Sequence, residues 1–384
     1  MICSKEKCTG CFACYNICPK KAIIMEQDEY GEVFPKIDKE KCINCNLCKK
    51  VCPQLEKKQD LFPPLKAFAM YSIDPHKRNE STSGGAATMF YEQILSENGI
   101  IYGASNLFGM DEFKFIRIDN VNDLYKVKGS KYVHCYINNI YTKVKEDLIN
   151  KKNVLFIGTP CQVAGLKSYL LKNYDNLITV DIICHGVPSQ KLLFDEMKNQ
   201  KIDPKDAYYI YFRDEEGFNF KILDKDKKQL INLKSENVYY YKNFLQGNIY
   251  RENCYSCQYA QINRVSDITI GDFWGLKKSA KIYDDEKKEI SLVLPNTEKG
   301  LKLINKISNK CNSEERTIEE AKKHNGQLNH PVIKSKKFEI YRNNYTKLGY
   351  KKTMNKMTST KDKIKKHIKN NALLYKLVKI IKQK

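Results

Sequence analysis

At 384 residues the chain is long enough for two or three domains. Its hydrophobic share of 42% is that of a globular protein, which excludes a wholly disordered chain. The net charge of +22 is unevenly spread: residues 351–384 hold twelve lysines against one acid, Asp362, and so carry half of the excess. Such a tail suits a phosphate-bearing partner or an anionic membrane surface, the inner membrane face among them, rather than a nucleic-acid fold. No apolar run approaches the length of a membrane-spanning helix. Met1-Ile2-Cys3-Ser4-Lys5 lacks the apolar core of a signal peptide, so a cytoplasmic location is expected.

Residues 1–58 are short of continuous apolar runs and hold nine of the fifteen cysteines. In a reducing compartment such crowding points to metal or redox chemistry rather than disulfides. Cys8-x2-Cys11-x2-Cys14-x3-Cys18-Pro19 recurs as Cys42-x2-Cys45-x2-Cys48-x3-Cys52-Pro53. Three thiolates at two-residue intervals wrap one face of an iron–sulfur cubane when the backbone makes a tight loop. In two-cluster ferredoxins the fourth Cys of each run ligates the other cluster. Cys8, Cys11, Cys14 and Cys52 are therefore expected to hold one 4Fe–4S centre, and Cys42, Cys45, Cys48 and Cys18 the second. Zinc also binds Cys-x2-Cys pairs, but its usual spacing sets two pairs apart by a longer loop, so the doubled run favours iron–sulfur. Cys3 lies outside the pattern and reads as a free thiol.

A connector follows over 59–66, held extended by Pro63-Pro64. Ala67–Tyr71 then reads as a buried strand, Gly85–Ser96 as a helix, and Ile100–Tyr102 and Phe113–Ile118 as strands. A helix is expected over Ile137–Ile149, a strand over Val154–Ile157, and a helix from about Gln162 to Leu171. The strand Ile178–Ile183 precedes a helix capped by Ser189. Residues 208–233 look like added antiparallel strands, Ile268–Ile270 is a later strand, and 297–345 reads as mainly helical. The alternation predicts an α+β ferredoxin-like head, a mixed α/β domain over 67–345 with parallel pairings, and a lysine-rich helical tail over 346–384. That tail carries Ile364, Ile368, Leu374, Leu377, Val378 and Ile381 as its apolar positions.

Several short motifs lie along the α/β segment in a fixed order. They are Ser81-Thr82-Ser83-Gly84-Gly85-Ala86-Ala87-Thr88, Gly129-Ser130-Lys131-Tyr132-Val133, Gly158-Thr159-Pro160-Cys161-Gln162 and Cys184-His185-Gly186-Val187-Pro188. Cys254-x2-Cys257 and Asp267-Ile268-Thr269-Ile270-Gly271-Asp272-Phe273-Trp274-Gly275 follow. Together with the cysteine head, this series resembles the coenzyme F420 hydrogenase/dehydrogenase beta-subunit family over roughly residues 1–280. The resemblance implies an FAD-binding catalytic domain exchanging electrons between flavin and 4Fe–4S clusters. Members that act on the deazaflavin coenzyme pass hydride between it and the flavin.

The residues suit that role. Ser81, Ser83, Gly84, Gly85 and Thr88 open a predicted helix, where hydroxyls and N–H groups meet a pyrophosphate. Gly158, Thr159, Pro160 and Gln162 sit at a strand's C-terminal end, where ligands bind in α/β sheets. Gly129, Ser130 and Lys131 complete the cofactor set, Lys131 neutralising a phosphate or the reduced flavin. A solvent-facing helix cap or turn is the plain alternative for each. The absence of a G-x-G-x-x-G run after a strand argues against an ordinary Rossmann NAD site.

Cys161 and Cys184 each follow a predicted parallel strand, and Cys254 and Cys257 form a two-residue bite. Converging beside a flavin, the four would hold a third 4Fe–4S centre, as the resemblance also implies; buried free thiols and a zinc site compete with that reading. Cys135 and Cys311 read as ordinary thiols. His185 is a candidate proton donor against a structural imidazole. Trp274 and Phe273 are candidates to stack near the flavin against a plain core role.

The expected function is an iron–sulfur flavoprotein oxidoreductase. It passes electrons between clusters and FAD, and on to or from a small organic substrate or, as family members with such heads suggest, a glycan-linked one. A ferredoxin or dehydrogenase-type protein would be its redox partner. The alternative is an electron-transfer subunit docking to a separate catalytic partner, without its own substrate.

Overall fold

The structure, a computed structural model, describes residues 2–55, 60–105, 107, 112–214, 216–283 and 289–358. The basic helix expected from Asp362 lies outside the described residues. Residues Met1–Ile333 form one compact unit and Lys334–Lys384 a second.

The head is small and loop-rich. It has two short helices, α1 (Ala13–Ile17) and α2 (Leu47–Lys50), and a hairpin of β1 (Ile23–Gln27) and β2 (Val33–Ile37) paired from Ile23↔Ile37 to Gln27↔Val33. Both four-cysteine runs fold the same way. Gly10 and Phe12 take positive φ (61° and 63°), and so do their counterparts Asn44 and Asn46 (54° and 57°). Left-handed residues at every second position coil the chain into a nest that turns backbone N–H groups inward. The repeat seen in the cysteine spacing is thus a repeat of backbone shape.

The remaining strands are β3 (Ala67–Ser72), β4 (Ile100–Ala104), β5 (Phe115–Ile118), β6 (Val154–Gly158), β7 (Leu177–Ile182), β8 (Tyr209–Tyr211), β9 (Asn219–Leu223), β10 (Gln229–Lys234), β11 (Ile268–Asp272), β12 (Ser291–Pro295) and β13 (Cys311–Arg316). Eight build one sheet in the order β13-β3-β12-β11-β7-β6-β4-β5. Neighbours in the run β4-β6-β7-β11 are parallel, and β5, β12, β3 and β13 extend it antiparallel. β8, β9 and β10 form a separate antiparallel sheet, as the pattern over 208–233 predicts.

The helices of this unit are α3 (Pro75–Asn79), α4 (Ala86–Ser96), α5 (Ile140–Ile149), α6 (Pro160–Leu170), α7 (Gln190–Asn199), α8 (Tyr239–Leu245), α9 (Glu298–Lys306) and α10 (Ile318–Lys323). Side chains alternate across the pleat. On one face Met70, Leu155, Ile157, Val180 and Val293 pack against Phe90 and Ile94 of α4 and Leu303 and Ile304 of α9. On the other, Ala67, Ala69, Leu292 and Leu294 pack with Ala321 of α10, and the ring of Phe156 meets Tyr141 of α5.

Two strands go beyond the expectations. The segment 297–345 is mainly helical, as its pattern predicts, but β13 also runs through it at the sheet's edge. β12, an unbroken buried run of five residues, is a strand the sequence pattern left unassigned. The second unit holds α11 (Lys336–Leu348) and α12 (Tyr350–Met357), which break at Gly349 and pack on each other. Among the described residues no helix is long and apolar enough to cross a membrane.

Candidate functional site

The thiols fall into three groups. Cys8, Cys11, Cys14 and Cys52 line a small cavity of about 20 Å3 together with Cys3. Cys3 is thus not remote: it shares hydrogen bonds with Cys8 and Cys52, and the first of these pulls the Cys8 thiol down to about 6. Burial pushes Cys11 up to about 12 and Cys14 well above the usual thiol range. In the second group Cys48 feels the charges of Cys18 and Cys42, and Cys45 is exposed. The chain's own folding therefore sets Cys52 with the first run and Cys18 with the second, the crossed grouping that the spacing suggests.

Cys161, Cys184, Cys254 and Cys257 form the third group. Cys184 feels the other three, and burial raises all four, Cys161 and Cys254 to about 12. Cys161 lies in the first turn of α6, which starts at Pro160. There Thr159 caps the helix: its N–H donates to Gln162 Oε1 at 3.0 Å, and its hydroxyl lies 3.2 Å from Cys161 Sγ. Cys184 follows β7. The loop carrying Cys254 and Cys257 is held from behind by Arg264, which pairs with buried Asp181 at 2.9 Å and donates to the carbonyls of Tyr259 and Ile182 at 2.8 and 3.1 Å.

The first and third groups are close. A Cβ added at Gly165 would stand 3.1 Å from Cys11 Sγ, and Gly165 lies one turn beyond Cys161 on α6. The charge of Cys161 acts on Cys11 across the same gap, which is part of why the Cys11 thiol is hard to ionise. Among the described residues no three His, Cys, Asp or Glu side chains close up tightly enough to hold a single metal ion. A four-iron cube takes one thiolate at each of its four iron corners and does not require that closeness.

A cavity of about 410 Å3 opens at the end of the sheet where the parallel strands finish, and its walls include Ile157–Thr159 at the end of β6, Ile182–Val187 at and beyond the end of β7 and Ile270–Asp272 of β11. This is the ligand end of an α/β sheet, and the volume is within the ordinary range for an organic ligand. Of the sequence-predicted cofactor residues, Ser81, Ser83, Gly85, Thr88, Gly129, Ser130, Lys131, Gly158, Thr159 and Gln162 line it. Gly84 and Pro160 do not; each shapes the wall from behind. A Cβ on Gly84 would stand 2.1 Å from the Met70 carbonyl, so only glycine lets this loop lie against β3. Pro160 starts α6.

Gly85 caps α4 with φ 90° and no side-chain cap bond, leaving the first-turn N–H groups of Ala86, Ala87 and Thr88 without intrahelical acceptors at the cavity wall. Ser130 donates to Thr82 at 3.0 Å, joining two of the motifs. Lys131 Nζ donates to the carbonyls of Val127, Lys128 and Gly129 at 2.7–2.9 Å, so its ammonium closes its own loop, while burial pulls it down to about 7. Gln162 divides its amide between Thr159 and the Cys135 carbonyl. His185 faces the cavity, and burial lowers its pKa against the opposing charge of Asp272. Trp274 lines the cavity, stacked with Phe218 at 6.5 Å, whereas Phe273 is buried in the core. Cys135 and Cys311 are buried thiols.

Two arginines escape a reading based on motifs. Arg213 lines the cavity and pairs with Asp272 at 2.8 Å and with Glu289. Arg251 is 1% exposed and reaches the head, donating from Nη2 to the carbonyls of Cys8 and Val33 at 3.1 and 3.2 Å. Its position three residues before Cys254 was the one available signal.

Residues 151–321 match the family described as coenzyme F420 hydrogenase/dehydrogenase, C terminus of the beta subunit. Two 4Fe–4S dicluster domain families match residues 7–55 and 34–94. No curated protein matches the chain. Among solved structures it is similar to a chain of the F420-reducing [NiFe] hydrogenase complex from Methanosarcina barkeri, studied by xenon derivatization. The two share 16% identity over 78% of this chain and 94% of that one, with a TM-score of 0.46.

Proposed function

This chain belongs to the coenzyme F420 hydrogenase/dehydrogenase beta-subunit-like family with an N-terminal 4Fe–4S dicluster segment, and we propose that it is an iron–sulfur flavoprotein oxidoreductase. Cys8, Cys11, Cys14 and Cys52 would hold one 4Fe–4S centre, Cys42, Cys45, Cys48 and Cys18 a second, and Cys161, Cys184, Cys254 and Cys257 a third. The cavity at the ends of the parallel strands would take FAD. The observation that carries this reading is the double position of Cys184, which stands in the third thiol group and also lines the cavity.

The order of the groups supports a path. Cys45 places the second group at the surface, Cys11 places the first against α6, and Cys184 places the third at the cavity wall. A flavin bound there would convert between single electrons and the electron pairs of organic chemistry. The hydroxyls of Ser81, Ser83 and Thr88 and the open N–H groups of α4 suit its pyrophosphate. Lys131 holds the Gly129–Ser130 loop against the cavity. His185, whose pKa burial lowers, faces the cavity as the candidate to donate a proton to a small organic or glycan-linked substrate.

Iron, sulfide and flavin quantified together on anaerobically purified protein test the reading. About twelve irons and one FAD per chain are expected; eight irons, or no flavin after reconstitution, would overturn it. One observation favours a second reading, an electron-transfer subunit serving a separate partner: beside exposed Cys45, Ile43 is 57% exposed, a surface suited to docking a ferredoxin or dehydrogenase-type protein. Turnover of a soluble acceptor by the isolated chain favours the first reading, and stable co-purification with a dehydrogenase the second.

A further inference from the structure

Arg251 is among the largest fully buried side chains of the protein. Its hydrogen bonds end on neutral oxygens: the carbonyls of Cys8 and Val33, and Asn253 Oδ1 at 3.3 Å. Nη1 finds no partner among the described residues, and the guanidinium packs over the Phe34 ring at 4.9 Å. A guanidinium cannot shed its proton, and a buried cation without a compensating anion is strongly unfavourable. The contrast with Arg264, which has Asp181 within 2.9 Å, is direct.

Arg251 touches two of the sulfur groups: its guanidinium bonds the Cys8 carbonyl of the first at 3.1 Å, and its own carbonyl accepts from the Cys254 N–H of the third at 3.0 Å. Its charge favours the thiolate form of Cys8 and of Cys254. Four thiolates around an iron–sulfur cube leave a net negative charge, and a reduced cube carries one more.

We propose that Arg251 is the shared counter-charge of the first and third cluster sites, a positioning residue that raises the reduction potentials of both. The proposal rests on the three-cluster reading above. A fixed cation stabilises the added electron, so its removal lowers the potential of each site it faces. Glu32, itself 4% exposed, acts on Cys8 and Cys254 with the opposite sign and supplies a second handle on the same two sites.

The experiment is a spectroscopic redox titration of the full-length, cluster-loaded protein, following each cluster by its paramagnetic signal, for the unaltered chain and for Arg251→Gln, Arg251→Lys and Glu32→Gln. With iron content retained, Arg251→Gln is expected to shift two of the three reduction equilibria at least tenfold toward the oxidised form, about 59 mV for one electron. Arg251→Lys, which keeps the charge, is expected to hold both potentials near those of the unaltered chain, and the second, outer cluster to serve as an unmoved reference. Glu32→Gln is expected to move the same two sites the other way. Full iron content in Arg251→Gln with no potential moved would overturn the role of Arg251 alone. Should Arg251→Gln fail to load, Glu32→Gln decides: an upward shift of two sites supports the proposal, and none overturns it. Eight irons in the unaltered protein would instead overturn the third site, and with it the shared role.

Discussion

Replacing Arg264 by Met tests how the third thiol group is held. Arg264 and Asp181 are 1% and 0% exposed, and the guanidinium reaches the carboxylate through Nε at 3.2 Å and Nη2 at 2.9 Å. The same side chain donates to the carbonyls of Tyr259, Gln261 and Ile182. Removing one member of a buried pair strands the other charge, at a cost of about 3–5 kcal/mol. The abandoned carbonyls place Arg264→Met toward the top of that range. Asp181 also accepts from Thr269 at 2.7 Å, so it keeps one partner and the loss stays within the range. Anaerobic urea unfolding of Arg264→Met, Asp181→Asn and the double variant measures it. The double variant should recover part of the loss, because no stranded charge remains. Iron analysis should show the third site failing first, since Tyr259 and Gln261 lie directly behind Cys257. A cost under about 1 kcal/mol for Arg264→Met, with full iron retained, would refute the reasoning.

Cys257→Ala should remove about four of about twelve irons and leave the head loaded, an outcome read by iron counting. Gly165→Ala would bring a methyl within 2.9–3.1 Å of Tyr141 Oη, Cys11 Cβ and Cys11 Sγ, and should cost about 1–3 kcal/mol despite the helix propensity it gains, measured by urea midpoint. Lys131→Met leaves three carbonyls without their shared donor and should weaken flavin retention on gel filtration while sparing iron content. In iron-free protein, Cys11, Cys161 and Cys254 are raised to about 12 by burial, so the folded chain keeps protons that the unfolded chain releases above about 8.5. Their contribution is whole below that pH and is lost as pH rises toward 12. The urea midpoint should therefore fall from pH 8.5 to 10.

Which thiols group together was largely legible in the sequence, because a cluster-binding loop imposes a short fixed spacing and repeats it. The matching positive φ values at Gly10 and Asn44, and at Phe12 and Asn46, explain why: the spacing records a backbone shape. The parallel strands were also legible, since buried strands read as apolar runs between helices. β13 was not. Its sequence, Cys311-Asn312-Ser313-Glu314-Glu315-Arg316, is polar because an edge strand meets solvent, and polarity is the same signal a surface helix gives. Arg251 was illegible for another reason. A buried guanidinium is chosen by what surrounds it in three dimensions, and Cys8 and Val33 stand more than two hundred residues away in the chain.

The proline-rich connector at first suggests a head on a tether, and the hydrogen bonds argue the reverse. Phe62 and Arg264 exchange backbone hydrogen bonds of 2.8 Å in both directions, and Leu65 donates to the Pro295 carbonyl at the end of β12. From the head itself, Asn16 donates to the Asn138 carbonyl at 2.7 Å, Ser189 reaches the Tyr30 carbonyl at 2.6 Å, and Arg251 ties Cys8 and Val33. These ties come from five separate places in the chain, so no single hinge releases the head. Passage of an electron between sites weakens steeply with their separation, and a swinging head would make it intermittent. Fixing Cys11 over the face of α6 that carries Cys161 holds that separation constant. The same ties explain why Arg264 matters twice: it backs the Cys254–Cys257 loop with its side chain and anchors the connector with its main chain, so one residue sets both ends of the gap between head and sheet.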